Sequence, residues 1–310
     1  MKDALIQSNA RTLPQITTDT YNSYIAYLDA SAKTAETYGR ALRQFAGYLQ
    51  VNGIAQPTRE DVISFKEHLA ETGHKATTIQ NYITAVKLFF SWTEQAGLYP
   101  NVSQHVKGAK ISREHKKDYL TSAQVKDLLG SVERETVKGK RDYAILTLAI
   151  TAGLRTIEIQ RANVEDIRKA GDNIVIYIQG KGREEKAEYV KIPPQTEKAI
   201  RDYLNARGAT DPAAPLFTST SHNNAGERMT TRAISGLIKG RLVAAGYNSD
   251  RLTAHSMRHT AVTLALLGGE SLQEAQQFAR HANLATTQIY AHNINIAANT
   301  CSSTIANAIF

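Results

Sequence analysis

Residues 173–192 read Asn173-Ile174-Val175-Ile176-Tyr177-Ile178, then Gln179-Gly180-Lys181-Gly182 and a charged stretch, then Glu188-Tyr189-Val190-Lys191-Ile192. Two β-rich runs parted by a glycine-flanked turn predict a hairpin. The flanks read as helix. Upstream, Tyr143 to Ile150 predicts a buried helix, and Thr121-Ser122-Ala123-Gln124 is a capping box ahead of Val125, Leu128 and Leu129. Downstream, helices are expected over 196–204, 230–245, 256–267 and 271–280. The first hundred residues are helical too. Tyr38, Leu42, Phe45 and Leu49 recur at helical spacing until Gly53. Thr58-x-x-Asp61 caps a run with Val62, Phe65 and Leu69 on one face, stopped by Gly73. Thr77 or Thr78 is expected to cap a third run, carrying Ile79, Tyr82, Ile83, Val86, Phe89 and Phe90, stopped by Gly97. A weaker helix is expected near 19–28. The fold class is therefore mainly α with a small antiparallel β-sheet, in two domains: an N-terminal bundle of about four helices over 15–98, a linker over 99–118 and a second domain over 119–310.

The chain has 310 residues, 42% of them apolar, enough for two cores. Its formal charge of +8 favours a polyanion, nucleic acid or an acidic membrane surface. The charge is uneven. Residues 1–105 hold nine basic and nine acidic residues, so the whole excess follows them. Residues 99–118 lack periodicity and carry Lys107, Lys110, Arg113, Lys116 and Lys117. They read either as a basic strap along a phosphate backbone or as a solvated linker without contacts. The single cysteine, Cys301, rules out an internal disulfide or a cysteine-built zinc site. No apolar signal core opens the chain, and the nearly apolar run 143–154 is too short to span a bilayer. A soluble, cytoplasmic protein is expected.

Four stretches carry chemistry. In Gly153-Leu154-Arg155-Thr156-Ile157-Glu158, an arginine among core-like residues needs a partner, and Glu158 is one candidate; a purely structural salt bridge is the alternative. In Gly180-Lys181-Gly182, the glycines permit close approach of a ligand to a tip lysine, which otherwise is an exposed turn residue. In His255-Ser256-Met257-Arg258-His259, residues three apart share a helix face, so His255 and Arg258 can converge on an anion; the alternative is a capping histidine beside a surface arginine. Lastly, Arg280-His281-Ala282-Asn283 precedes Thr286-Thr287-Gln288-Ile289-Tyr290-Ala291-His292. Thr286 is expected to cap a short helix bearing Tyr290, which otherwise reads as a core tyrosine.

Taken together and in order, Arg155, Lys181, His255-x-x-Arg258, His281 and Tyr290 resemble the active-site set of the tyrosine recombinase (phage integrase) family. The local contexts match: GLRxxE, GKG, HxxRHT, and RH followed by TTxxYAH. The spacings of 23 from Arg258 to His281 and 9 from His281 to Tyr290 look like Xer-type members. The resemblance covers the second domain throughout, and the N-terminal bundle is similar to the family's SAM-like core-binding domain. The chain departs from the pattern at Arg280, where many relatives have glycine, and at Met257, where another apolar residue is usual. Lys186 and Lys191 compete with Lys181 for the lysine role.

The resemblance implies a two-domain clamp on double-stranded DNA that cleaves and rejoins strands through a 3′-phosphotyrosine. Arg155 and Arg258 would fork onto the non-bridging phosphate oxygens. Tyr290 would attack the phosphorus, with His255 taking its proton. Lys181 would protonate the departing 5′ oxygen, His281 would orient the phosphate, and Glu158 would brace the arginine and histidine shell. No cofactor, metal or ATP is implied, because the phosphotyrosine retains the bond energy and the sequence has neither a Walker loop nor a carboxylate cluster suited to two metals.

After Tyr290 the chain carries no Asp, Glu, Lys or Arg, and Ile294, Cys301, Ile305 and Ile309 fall near one face of a possible helix. Such a tail packs either on its own domain or, as the resemblance implies, on a neighbour in a homotetramer spanning two DNA sites. The bundle begins by about residue 19, which leaves little room for an arm-binding module and favours a simple recombinase. Its task would be integration or excision of a mobile element, or resolution of DNA multimers, with an accessory protein as a further partner. The rivals are a type IB topoisomerase-like relaxase, which shares this chemistry, and a non-catalytic DNA-binding regulator.

Overall fold

The computed structural model describes residues 16–111, 118–180, 185–297 and 301–309. The chain divides into two compact units, Met1–Arg113 and Glu114–Phe310.

The first unit holds α1 (Thr18–Tyr27), α2 (Ala32–Val51), α3 (Arg59–Glu71) and α4 (Ala76–Gln95). The Thr58–Asp61 box closes as its sequence dictates, with the Asp61 carboxylate accepting from the Thr58 backbone N–H at 2.7 Å. Leu42, Phe45, Val62, Phe65, Leu69, Ile83, Phe89 and Phe90 form the core. α4 begins earlier than expected. Lys75 is its N-cap and makes no side-chain cap bond, so Thr77 and Thr78 already lie within the first turn. The Lys75 carbonyl accepts from the backbone N–H groups of Thr78 and Ile79, which closes the first turn there.

The bundle also reaches beyond residue 98. Tyr99 and Val106 are buried in its core, and the Tyr99 hydroxyl donates to the Pro57 carbonyl at 2.9 Å. The first half of the expected linker is thus packed structure, because two apolar side chains outweigh a locally aperiodic sequence. Lys107 and Lys110 are exposed; Arg113, Lys116 and Lys117 lie outside the described residues.

The second unit is built around α6 (Val137–Thr151), whose residues from Ala144 to Ile150 are all buried. Before it lies α5 (Ser122–Gly130), opened by the Thr121–Gln124 box. After it come α7 (Thr156–Arg161), strands β1 (Ile167–Ala170), β2 (Asn173–Ile178) and β3 (Glu188–Lys191), then α8 (Pro194–Arg207), α9 (Thr231–Ala244), α10 (Ala254–Leu267), α11 (Leu272–Ala279), α12 (Leu284–Ala297) and α13 (Cys301–Ile309). The strands form one antiparallel sheet in the order β1-β2-β3, with Ile176 opposite both Ile167 and Val190. Ile176, Ile178 and Val190 face the core, and Tyr177 pairs with Tyr189 on the other face. β1 is the unexpected strand. Its four residues include two exposed charges, so it has no alternation to read, and only Gly171 at φ +59° marks the turn into β2.

Two expectations about the end of the chain change. Asn283, not Thr286, caps α12, its side-chain oxygen accepting from the Ala285 N–H at 2.9 Å. α12 is 14 residues long, so Ile294 shares a helix with Tyr290, while Ile305 and Ile309 lie exposed on the separate α13.

Candidate active site

The loop from α6 to α7 sets the first arginine. Gly153 sits at φ +57°, and a Cβ there would come within 2.9 Å of the Phe278 ring, so the sharp turn and the packing both require glycine. Arg155 is the N-cap of α7. Glu158, 1% exposed, folds back on it: one carboxylate oxygen accepts from the Arg155 backbone N–H and the other from its guanidinium, each at 2.8 Å. The Arg155 side chain remains about one-third exposed.

A second cation completes the carboxylate's shell. Arg280 NH2 donates to Glu158 at 2.8 Å and to the Gly153 carbonyl at 3.3 Å. Burial pushes the Glu158 carboxyl upward, but the Arg280 charge and the Arg155 hydrogen bonds outweigh it and hold it below the usual carboxylate range. Both oxygens are occupied by arginines.

Arg258 lies on α10, fully buried, its NH1 donating to the Gly153 carbonyl at 2.6 Å and its NH2 to that of Ala279. Burial, then the charges of Arg155 and Arg280, bring its pKa down to about 10, so it stays protonated at neutral pH. His255, one turn earlier, is exposed. It is not the helix cap; Thr253 and Ser256 form that box. His255, Arg258 and Arg155 line one open cleft of about 620 Å³ together with Arg232 and Lys239 of α9.

His281 follows the turn after α11. Its Nδ1 lies 2.9 Å from the Thr287 hydroxyl. Burial, then the nearby arginines and His255, hold it down at about 4, so it is neutral at pH 7. Tyr290 projects from α12 into an apolar pocket of Val262, Ala275 and Ala279 and is 4% exposed. Its ring centroid lies 4.2 Å from that of His259 and 6.0 Å from that of His281. Burial raises its pKa, against the lowering effect of Arg258 and Arg155.

The structure thus brings Arg155, Glu158, Arg258, His281 and Tyr290 together from four separate helices and their ends, with His255 on the cleft wall. Lys181 lies outside the described residues. Of its competitors, Lys186 is engaged with the buried Asp166 at 2.5 Å, and Lys191 is exposed on β3. The Gly180 carbonyl, just before Lys181, accepts from Arg161 of α7 at 3.1 Å.

The chain has known relatives. The model of the phage integrase family matches residues 118–295, and that of the phage integrase N-terminal SAM-like domain matches residues 7–97. The chain belongs to the phage integrase family. Among curated relatives, tyrosine recombinase XerC of Pelobacter propionicus is 28% identical, covering 84% of this chain and 85% of that protein. XerC of Herpetosiphon aurantiacus is also 28% identical, covering 88% and 90%. The fold is shared with the XerH site-specific recombinase in its post-cleavage complex with palindromic difH: TM-score 0.71, 20% identity, 87% of this chain and 80% of that one.

As an Xer-like member of the phage integrase family, the protein is a tyrosine recombinase, an enzyme that cleaves and rejoins DNA at specific sites. Three site residues of this family member escaped the sequence reading. Arg232 lines the cleft but stands in the chain as an isolated arginine with nothing local to mark it. His259 adjoins Arg258 in the quoted motif, yet only packing reveals its ring against Tyr290. Arg280 was visible as a departure from the pattern, but its partner, 122 positions away, was not.

Proposed function

We propose that the cleft between α7, α9 and α10 receives the scissile phosphate and that Tyr290 forms the covalent bond to it. The observation that carries this reading is the convergence of Arg155, Arg258, His281 and Tyr290 from elements far apart in sequence. Arg155 and Arg258 take the non-bridging oxygens; losing one such preorganised donor typically costs about 10²–10³ in rate. The Tyr290 oxygen attacks phosphorus and gives its proton to His255. The 5′ oxygen leaves with a proton from Lys181, and a 3′-phosphotyrosine forms. His281, neutral at pH 7, donates a hydrogen bond to the phosphate. Attack by a 5′-hydroxyl then reverses the bonds and frees the tyrosine. Tyr290 is buried and Arg258 is tied to carbonyls, so both side chains move to engage the phosphate.

The two units act as the two sides of a clamp: the bundle binds the core site and the residues from 119 to 310 carry catalysis. Lys107 and Lys110, with Arg113, Lys116 and Lys117, contact the backbone. The working form is a homotetramer on two sites, and the exposed Ile305 and Ile309 of α13 suit delivery to a neighbouring subunit. The protein acts in the cytoplasm, in integration, excision or multimer resolution, with or without an accessory protein. Incubation with nicked duplexes made from DNA around its own gene tests the reading. A denaturant-resistant adduct on particular fragments, absent with Tyr290→Phe, is the expected result. An adduct with Tyr290→Phe overturns the nucleophile assignment, and adducts on every duplex favour a relaxase.

A further inference from the structure

Arg280 stands where the backbone calls for glycine. It is the C-cap of α11 at φ +52° and ψ +47°, one of two non-glycine residues with positive φ among the described residues. An L side chain in that conformation is strained, because Cβ crowds the following carbonyl oxygen. The turn does not need this side chain for closure. Backbone bonds from Arg280 N–H to Gln277 and from His281 N–H to Gln276 close it, and the Gln276 amide adds a bond to the His281 carbonyl.

The guanidinium is spent mainly elsewhere. One-tenth exposed, it donates to its near neighbour Phe278 at 2.9 Å and crosses to Glu158 and the Gly153 carbonyl. Its own carbonyl accepts from Arg155 NH2 at 3.5 Å. Arg280 therefore reaches Arg155 from two sides, directly through its backbone and indirectly through Glu158. It also shares the Gly153 carbonyl with Arg258.

Glu158 is a buried carboxylate, and without Arg280 one guanidinium would have to satisfy it alone. A buried charge short of partners draws strongly on whatever cation is near. If Arg155 were that only cation, its charge would be committed inward. With Arg280 as a second donor, two guanidinia share one carboxylate, and the surplus positive charge is left for the cleft.

We propose that Arg280 is a positioning residue for strand cleavage: it shares Glu158 with Arg155, so that Arg155 can face the phosphate, and it ties the turn bearing His281 to the Arg155 loop. This rests on Arg155 being a phosphate ligand, which the test examines separately.

The full chain is used with a nicked duplex that traps cleavage, under single-turnover conditions below every variant's melting transition. Arg280→Gly gives the backbone the residue its φ favours but takes one partner from the buried Glu158, so the melting temperature is expected to fall by less than that of Glu158→Gln. DNA affinity is expected to stay within about threefold, while the cleavage rate falls about tenfold. Arg280→Lys keeps the charge at Glu158 and is expected to recover part of that loss. In a Glu158→Gln background, adding Arg280→Gly is expected to cost less than twofold further, because the shared carboxylate is gone. Wild-type cleavage by Arg280→Gly overturns the proposal, as does an undiminished tenfold loss in the Glu158→Gln background. A cleavage loss that disappears when each variant is assayed at the same interval below its own melting temperature also overturns it, marking a purely structural residue. Arg155→Ala is the separate control: if it cleaves normally, the reading of the site fails and the proposal with it. If it is inactive while Arg280→Gly is normal, only the role of Arg280 fails.

Discussion

The ring of His259 lies 4.2 Å from the ring of Tyr290, centroid to centroid and tilted by 41°, within a pocket that leaves the tyrosine almost without solvent. The residue after the buried Arg258 is thus a wall of the pocket that holds Tyr290, the proposed nucleophile. Tyr290→Phe keeps the ring and its packing, so stability is expected to change by less than about 1 kcal/mol while the covalent adduct disappears. His259→Ala removes the wall. Its expected cost is about 2–4 kcal/mol in chemical denaturation, and nitration of Tyr290, read by mass spectrometry, is expected to speed up. Unchanged nitration would mean that α11 and α12 alone shield the tyrosine.

Glu158→Gln leaves Arg155 and Arg280 facing each other without a carboxylate. Breaking a buried ion pair from one side typically costs about 3–5 kcal/mol; the amide keeps part of the hydrogen bonding, so about 3 kcal/mol is expected. For a unit of this size that lowers the melting temperature by about 6–12 °C. A melting temperature within 2 °C of wild type would mean that the carboxylate's desolvation already cancels its attractions.

Acid should act through His281. Its folded pKa of about 4 lies below the ordinary 6.5, so between these values the unfolded chain binds a proton that the folded chain refuses. Its contribution to stability is therefore complete above about pH 6.5 and is lost as pH falls toward 4. Glu158, held low, adds a loss that begins as pH falls through the ordinary carboxylate range toward its lower folded value. His281→Gln is expected to show a shallower fall in melting temperature between pH 6.5 and 5 than wild type. Equal slopes would show that the imidazole is already protonated in the folded protein.

Lys107 and Lys110 are exposed on the stretch that follows the bundle. Changing both to glutamine is expected to weaken binding to specific and random DNA alike. The log–log slope of affinity against salt should become shallower by about two. A loss confined to the specific site would assign them to base reading instead.

The helices were legible because their signals are local. Thr58–Asp61 and Thr121–Gln124 close their boxes within one turn, and Leu42, Phe45 and Leu49 repeat with the helical period whatever lies beyond. The order of Arg155, His255, Arg258, His281 and Tyr290 was likewise written in the chain, and with it the family. β1 was not legible, since Ile-Arg-Lys-Ala alternates nothing and becomes a strand only because β2 offers it an edge. Residues 99–109 read as a linker because Tyr99 and Val106 find their pocket only after four helices have packed.

The sequence by itself therefore determined which chemical groups this enzyme carries and which helices bear them, because residue identity, capping and periodicity act over a few positions. Tertiary structure alone decided that Arg280 shares Glu158 with Arg155, that the Gly153 carbonyl serves two arginines, and that Tyr290 rests against His259. Those pairings join residues up to 127 positions apart. They depend on where whole helices come to lie, which long-range packing sets and no local pattern encodes.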